Sequence, residues 1–350
     1  MSSLPITNLL RAGLWSSLLA CASCVGANSP SQQHGASPTA GGKDFAVAFY
    51  NVENLFDTID QPNVIDEEFL PDSEKKWTST RYQAKLDSLT KVIAGIIDGG
   101  PPAAFGVCEV ENLGVLRDWA ANPGMAEHDF GIIHHDSPDG RGIDVGLLYQ
   151  KSRFAPLGDE SLTVEIDGPY PTRDILHAWG VADGADTLHF FVNHWPSRRG
   201  GEDESEDNRV AAASVLREAV DALLARSPQA KICIMGDMND EPDNKSLSEV
   251  LRAVEAPSQP GELKNLAWPL QQSKQGTYNF RGEWTQIDNM IVSQALAGAT
   301  AGLRAGEAKI FKPGWILYRG ESPSKTYGGP NYYGGFSDHL PLYVVLEWQP

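Results

Sequence analysis

The sequence is poor in positive charge: 28 Lys and Arg stand against 46 Asp and Glu in 350 residues, a formal balance of −18. This shortage excludes a protein that holds nucleic acid through a broad basic surface, because such binding draws its affinity from Lys and Arg neutralising phosphates. An acidic protein that handles phosphate needs a cation between the two. Cysteine is scarce too. Of four, Cys21 and Cys24 lie near the start, leaving Cys108 and Cys233, each inside an apolar run. That excludes a disulfide scaffold and a Cys-rich zinc site. For Cys108 and Cys233 two buried thiols are expected, with one disulfide as the alternative. No repeat or low-complexity tract follows Phe45, and no apolar run reaches the roughly 20 residues that cross a bilayer as a helix. With 41% hydrophobic and 21% charged residues the chain is neither disordered nor membrane-embedded, so a packed core is expected.

What is present divides the chain in three. Residues 1–20 carry one charge, Arg11, and the short apolar run Ala12 to Cys21, which reads as a secretory signal. Leu18-Leu19-Ala20-Cys21 resembles a bacterial lipobox whose Cys21 is lipidated after cleavage. Cleavage exposing Cys24, or after Ala27, is the alternative. Residues 21–43, rich in Ser, Gln, Gly, Pro and Ala, read as a flexible linker. Residues 44–350 read as one domain. Its expected strands are 45–49, 104–108, 130–134, 145–149, 162–166, 175–181, 188–192, 231–235, 287–292 and 342–348. Expected helices are 81–97, 113–121 and 208–226. In the first of these, Leu86, Leu89, Val92, Ile93 and Ile96 fall on one face. Strand pairs mixed with helices suggest an α/β fold, two sheets face to face with helices on their outer faces.

The informative residues are the polar ones at the ends of these runs. Asn51 follows Phe45 to Tyr50, and Glu109 follows Ala104 to Cys108. Asp237 and Asn239 follow Ile232 to Gly236, and Asp338 and His339 precede Leu340. Strand interiors are apolar, so side chains at neighbouring strand ends are free to converge on one cleft. Asp237 and Asn239 are two apart and share a face. The same alternation makes Glu53 an alternative to Asn51, and Glu111 to Glu109. The residue nearest each apolar run is preferred.

Six segments then carry a resemblance: Phe49 to Asp57 (FYNVENLFD), Val107 to Asn112 (VCEVEN), Val192 to Ser197 (VNHWPS), Met235 to Asp240 (MGDMND), Gln286 to Ser293 (QIDNMIVS) and Phe336 to Pro341 (FSDHLP). In order and spacing they resemble the successive motifs of the endonuclease/exonuclease/phosphatase superfamily, which includes DNase I and exonuclease III. The resemblance implies a four-layer α/β sandwich, two central, mostly antiparallel sheets flanked by helices. It also implies roles. Glu109 matches the principal metal ligand, with Asn51 and Asp338 beside it. Asp237 and Asn239 match the pair that positions the attacking water and contacts the scissile phosphate. His339 matches the general base, Asp288 the carboxylate that orients it, and His194 a second histidine that donates to the phosphoryl group. Arg173 matches, more loosely, a phosphate-contacting arginine.

The residue types suit that chemistry. A carboxylate-rich site repels a phosphodiester unless a divalent ion lies between them. Asp, Glu and Asn oxygens suit Mg²⁺ first, with Mn²⁺ and Ca²⁺ as alternatives. The Trp-Cys-Asp-Arg run of the superfamily's inositol 5-phosphatases is missing. An exported, monomeric, metal-dependent nuclease is therefore the leading expectation. A phospholipid or small-molecule phosphodiesterase or phosphatase, and a non-catalytic binding lipoprotein, stand as alternatives.

Overall fold

The computed structural model describes residues 44–167 and 170–350; the expected signal, lipobox and linker lie outside the described residues. Thirteen strands form two large sheets. Those of the first sheet are β1 (Phe45–Leu55), β2 (Ala104–Val110), β3 (Phe130–His134) and β4 (Asp144–Gln150), joined later by β12 (Gly302–Ile310) and β13 (Leu342–Gln349). Those of the second are β5 (Phe154–Leu162), β6 (Ile175–Ala182), β7 (Asp186–His194), β8 (Lys231–Asp237), β9 (Ala253–Val254), β10 (Leu263–Asn265) and β11 (Asp288–Ser293). The spatial orders are β12-β13-β1-β2-β4-β3 and β5-β6-β7-β8-β11-β10-β9. Three helices, α1 (Ser79–Gly95), α2 (Leu113–Ala120) and α3 (Glu206–Arg226), cover the outer faces.

Strand alternation explains the layering. Phe45, Val47 and Phe49 of β1 meet Phe190 and Val192 of β7 and Cys233 and Met235 of β8 in the central layer. The intervening Ala48, Tyr50 and Val52 pack under Leu86, Leu89, Val92 and Ile93 of α1 and Trp119 of α2. On the other sheet, Phe191, Ile232 and Ile234 pack under Ala212, Leu216 and Val220 of α3. Both faces of the central strands are thus buried, which is why they read as near-continuous apolar runs. Helix ends follow local chemistry. Asn112 caps α2 by accepting from Gly114 N at 2.6 Å and Val115 N at 3.1 Å. Helix α3 starts two residues before its expected Asn208, because Glu206 and Asp207 sit in its first turn, where the helix dipole favours acids.

One expected strand is displaced. Residues 162–166 were expected as a strand, yet β5 ends at Leu162 and runs instead from Phe154. Its sequence, FAPLGDESL, carries a Pro and a Gly and a register shift between Pro156 and Gly158, so no alternation marks it. An outer strand with little burial needs no apolar pattern. Strand β12, GLRAGEAKI, was not expected for the same reason; it too has a register shift, between Ala305 and Ala308. Cys108 and Cys233 are buried free thiols.

Topology sets where the polar strand ends meet. Strands β1 and β2 are parallel, pairing Asn51 with Cys108. Strands β7 and β8 are parallel, pairing His194 with Asp237. Strand β11 runs antiparallel to β8 and opposes Asp288 to Asp237. Strand β13 runs antiparallel to β1, pairing Leu342 with Phe49, so His339 arrives at the same pole.

Candidate active site

At that pole the backbone departs from regular strand geometry. The β1/β2 ladder shifts register between Asn51 and Leu55, and the β2/β4 ladder shifts at Cys108/Val110. Glu53, Asn54, Glu109 and Asn239 all take left-handed φ values, 51°, 52°, 61° and 51°. Such conformations are costly for residues with a Cβ and persist where surrounding contacts hold them. At Glu109 the bulge turns the side chain towards β1, where its Oε1 accepts from Asn51 Nδ2 at 3.2 Å and its Oε2 from Asn54 N at 3.0 Å.

One amide spans the two sheets. Asn51 Nδ2 also donates to Asp237 Oδ2 at 3.1 Å, while Asn51 Oδ1 accepts from Glu53 N at 3.0 Å. Asn51 therefore presents its nitrogen to the two carboxylates. Asp237 Oδ1 accepts from Asn239 N at 3.0 Å. His194 Nε2 stands 3.9 Å from both Glu109 Oε1 and Asp237 Oδ2. His339 Nε2 stands 3.7 Å from Asp237 Oδ2, and its Nδ1 donates to Asp288 Oδ2 at 2.7 Å. Asn51, Glu109, Asp237, His194, His339 and Asp288 thus converge on one small space, fed by both sheets.

Electrostatics differentiate the two imidazoles. Burial alone would lower the pKa of His339, but the charges of Asp288 and Asp237 outweigh it and hold the ring well above its ordinary value. His194 is held well below, by burial and then by the charge of Arg173 and of Arg141. These effects favour the neutral form of His194, and its buried Nδ1 has no hydrogen-bond partner among the described residues. Burial raises the pKa of Asp237, with the charge of Asp288 adding to it and the His339 imidazolium opposing it. Asp338 is raised for the same first reason, and Glu109 adds to it. A cluster of acids raised by burial and by one another is a site that a cation relieves.

The donor set tests which cation fits. Glu109, Asp237 and Asp338 supply hard oxygens, and Asp288 Oδ1 is buried and unpartnered. Cys108, His194 and Asp237 also fall within metal-binding range of one another, yet burial pushes the Cys108 thiol up, so it does not offer a thiolate. The oxygen set fits a divalent ion of the Mg²⁺ type. Asn51 joins it through Oδ1 only after its amide turns over.

Other sites follow different lines. Asn239 Nδ2 donates to Trp195 O at 3.1 Å. Arg173 was expected to contact phosphate; here it is buried and its donors go inward, to His194 O at 3.2 Å, Trp195 O at 2.6 Å and Asp139 Oδ2 at 3.1 Å. Glu53 and Glu111, the alternatives to Asn51 and Glu109, turn elsewhere. Glu53 accepts from Thr326 N at 2.6 Å, and Glu111 from Asp57 N at 2.6 Å. Asp144 holds His134 and Ser137, at 2.9 and 2.8 Å, in the β3–β4 connection.

Four supporting residues escaped sequence reasoning. Lys85 of α1 is buried and donates to Thr326 Oγ1 at 2.6 Å and Phe336 O at 2.7 Å, tying down the segment that ends in His339. Ser337 Oγ donates to Asn51 O at 2.7 Å. The Tyr278 ring lies 4.8 Å from that of His339. Asp139 bonds Arg173. Only Ser337, adjacent to Asp338, carried a local signal.

The model of the endonuclease/exonuclease/phosphatase family matches residues 46–348. The chain belongs to this family. Its reaction is therefore the hydrolysis of phosphoric esters, with a divalent metal. Solved structures agree on the fold. Mannosyl-6-phosphatase Bt3783 of Bacteroides thetaiotaomicron is 18% identical with TM-score 0.53, covering 87% of this chain and 100% of that one. Humanized TDP2 of D. rerio is 14% identical with TM-score 0.56, covering 87% and 99%. The human Nocturnin catalytic domain is 14% identical with TM-score 0.52, covering 87% and 95%. No curated protein matches the chain.

Proposed function

We propose that this family member is an exported phosphodiesterase that cleaves nucleic acid by attack of a water that His339 deprotonates. The observation that carries the reading is the Asp288–His339 pair at 2.7 Å, its Nε2 turned towards Asp237. A base held in one tautomer by a buried carboxylate is a device for moving a proton, which binding alone does not need. Glu109, Asp237 and Asp338 would hold the divalent ion, which supplies charge stabilisation at the phosphoryl oxygens. Asp237 and Asn239 orient the water. His194, neutral and facing Glu109 and Asp237, donates to the phosphoryl group across from His339.

Nucleic acid is preferred for a local reason. Tyr278, whose ring lies beside that of His339, opens the short strand Tyr278–Phe280, and Phe280 at its end is 55% exposed with the Arg281 guanidinium 5.0 Å from its ring. An open ring backed by a cation is a platform on which a base stacks. Export, with a lipid anchor at Cys21, rests on the apolar run before that residue, and a monomer is the expected state.

The test is a substrate panel: plasmid DNA, RNA, bis-p-nitrophenyl phosphate, p-nitrophenyl phosphate and sphingomyelin, each with Mg²⁺, Mn²⁺, Ca²⁺ or EDTA. The expected result is metal-dependent cleavage of nucleic acid, abolished by EDTA. Turnover of the small esters or sphingomyelin without nucleic acid moves the reading to a small-molecule or phospholipid enzyme. No turnover of any substrate favours a binding lipoprotein.

A further inference from the structure

Beyond the reacting centre the β3–β4 connection carries an unbalanced charge. The β3–β4 connection lies at the same pole as the catalytic residues, because Asp144 at the start of β4 opposes Val110 at the end of β2. In that connection Asp139 is buried and receives two arginines. Its Oδ2 accepts from Arg173 Nη1 at 3.1 Å, and its Oδ1 from Arg141 N at 2.9 Å and Arg141 Nε at 3.4 Å. Arg173 in turn is bonded to the carbonyls of His194 and Trp195. One carboxylate thus serves two guanidiniums, one buried and one open.

The open one is Arg141, whose side chain is 50% exposed against 6% for Arg173. Among the described residues Asp139 is the only ion-pair partner Arg141 has, and the Nε contact is long. The segment that presents it is held firmly. Gly140 O accepts from Ile65 N at 2.8 Å, Gly142 N donates to Asp139 O at 2.9 Å, and Gly142 takes a φ of +66° with Val64 against it. In a protein of formal charge −18, a fixed, half-open guanidinium that shares an aspartate with the arginine bonded to the His194 carbonyl is placed for an anion.

We propose that Arg141 binds a second phosphate of the substrate, one adjoining the phosphate that is cleaved. The inference deepens the nucleic-acid reading and rests on it. The scissile group is gripped by the Asn51, Glu109, Asp237 and His339 cluster, whereas Arg141 is bonded to Asp139, which bonds Arg173, which bonds the carbonyl of His194. With the reacting group assigned to that cluster, the anion left for Arg141 is a second one beside it. The substrate class this selects is one with two phosphates in series, as along a polynucleotide strand.

The test is equilibrium binding by calorimetry of thymidine 3′,5′-bisphosphate and thymidine 5′-monophosphate in Mg²⁺, for the full chain and three variants. Wild type is expected to prefer the bisphosphate by about tenfold, the worth of one charge-assisted bond. Arg141→Gln brings the ratio towards one, and Arg141→Lys restores part of it. Arg319→Gln removes the same charge from the guanidinium lying over Tyr318 and leaves the wild-type ratio. A wild type without preference, an Arg141→Gln variant that keeps it, or no binding of either nucleotide overturns the inference. Because binding needs no turnover, failure of the hydrolysis panel with an intact ratio counts against the catalytic reading alone.

Discussion

Replacing Asp288 by Asn removes a buried charge whose Oδ2 lies 2.7 Å from His339 Nδ1. The two charge centres in such a pair lie about 4 Å apart, and at an effective dielectric of about 20 their attraction is about 4 kcal/mol, which favours the charged ring. His339 must be neutral to take a proton. Its raised pKa therefore makes the rate of the native enzyme climb with pH until that value is passed. In Asp288→Asn burial acts on the ring with less opposition, so this limb moves to lower pH. The plateau falls as well, by about 10²–10⁴-fold, because the ring loses the carboxylate that fixes its tautomer. The stability sign can be followed in the same variant. A raised histidine pKa contributes stability that is complete below the unfolded value and is lost as pH rises through the folded one. Asp288→Asn therefore costs more stability near pH 6 than near pH 9. The assays are kcat against pH with bis-p-nitrophenyl phosphate at saturating metal, and thermal unfolding at both pH values. An unmoved limb with an unchanged plateau would refute the assignment of Asp288 and His339 as a working pair.

Further expectations follow from the same geometry. Glu109→Gln removes the carboxylate shared by Asn51 and Asn54, and Mg²⁺ affinity by calorimetry should fall at least about 100-fold, while loss of a bystander carboxylate would leave it unchanged. Glu111, pushed by burial up to about 7 from 4.5, ionises more readily in the unfolded chain. Its ionisation therefore destabilises the fold progressively as pH rises from about 4.5 to 7, by about 3 kcal/mol in all. Glu111→Gln, which keeps an acceptor for Asp57 N, should then unfold later than native protein at pH 8 in EDTA and not at pH 4. Gly236→Ala places a Cβ 2.4 Å from Asn193 O on the neighbouring strand, so β7 and β8 must part. Denaturant unfolding should show a loss of about 3 kcal/mol, with activity lost because Asp237 follows directly. Mg²⁺ should raise the melting temperature of native protein in proportion to the logarithm of its concentration, and leave that of a Glu109→Gln, Asp237→Asn double variant unmoved.

Much of this centre was legible without coordinates, for a reason particular to its construction. Asn51, Glu109 and Asp237 sit where near-continuous apolar runs stop, and a polar residue closing such a run stands out; Asp288, which opens its strand, came only with the family resemblance. Helix α1 was equally plain, since Leu86, Leu89, Val92, Ile93 and Ile96 repeat at helical spacing and all are buried. Strands β5 and β12 were not, because outer strands with exposed faces carry no alternation. Arg173 shows a different limit. The family resemblance matched it to a phosphate-contacting arginine, but only packing decides whether a guanidinium faces substrate or is consumed by carbonyls. Lys85 shows another: a lysine on an apolar helix face reads as an intruder until Thr326, 241 residues away, meets it.

From residue order alone came the layered α/β architecture, the family and the acid, amide and imidazole groups of the reaction, since strand periodicity and motif spacing are local properties of the chain. The differences among those groups came only with the fold. Which imidazole is charged depends on which carboxylates surround it, and both His339 and His194 are as buried as each other. The exposure of Arg141 and the concealment of Arg173 depend on one shared aspartate. Electric fields and competition for hydrogen bonds are set by distances across the two sheets, and those distances do not exist until the sheets pack.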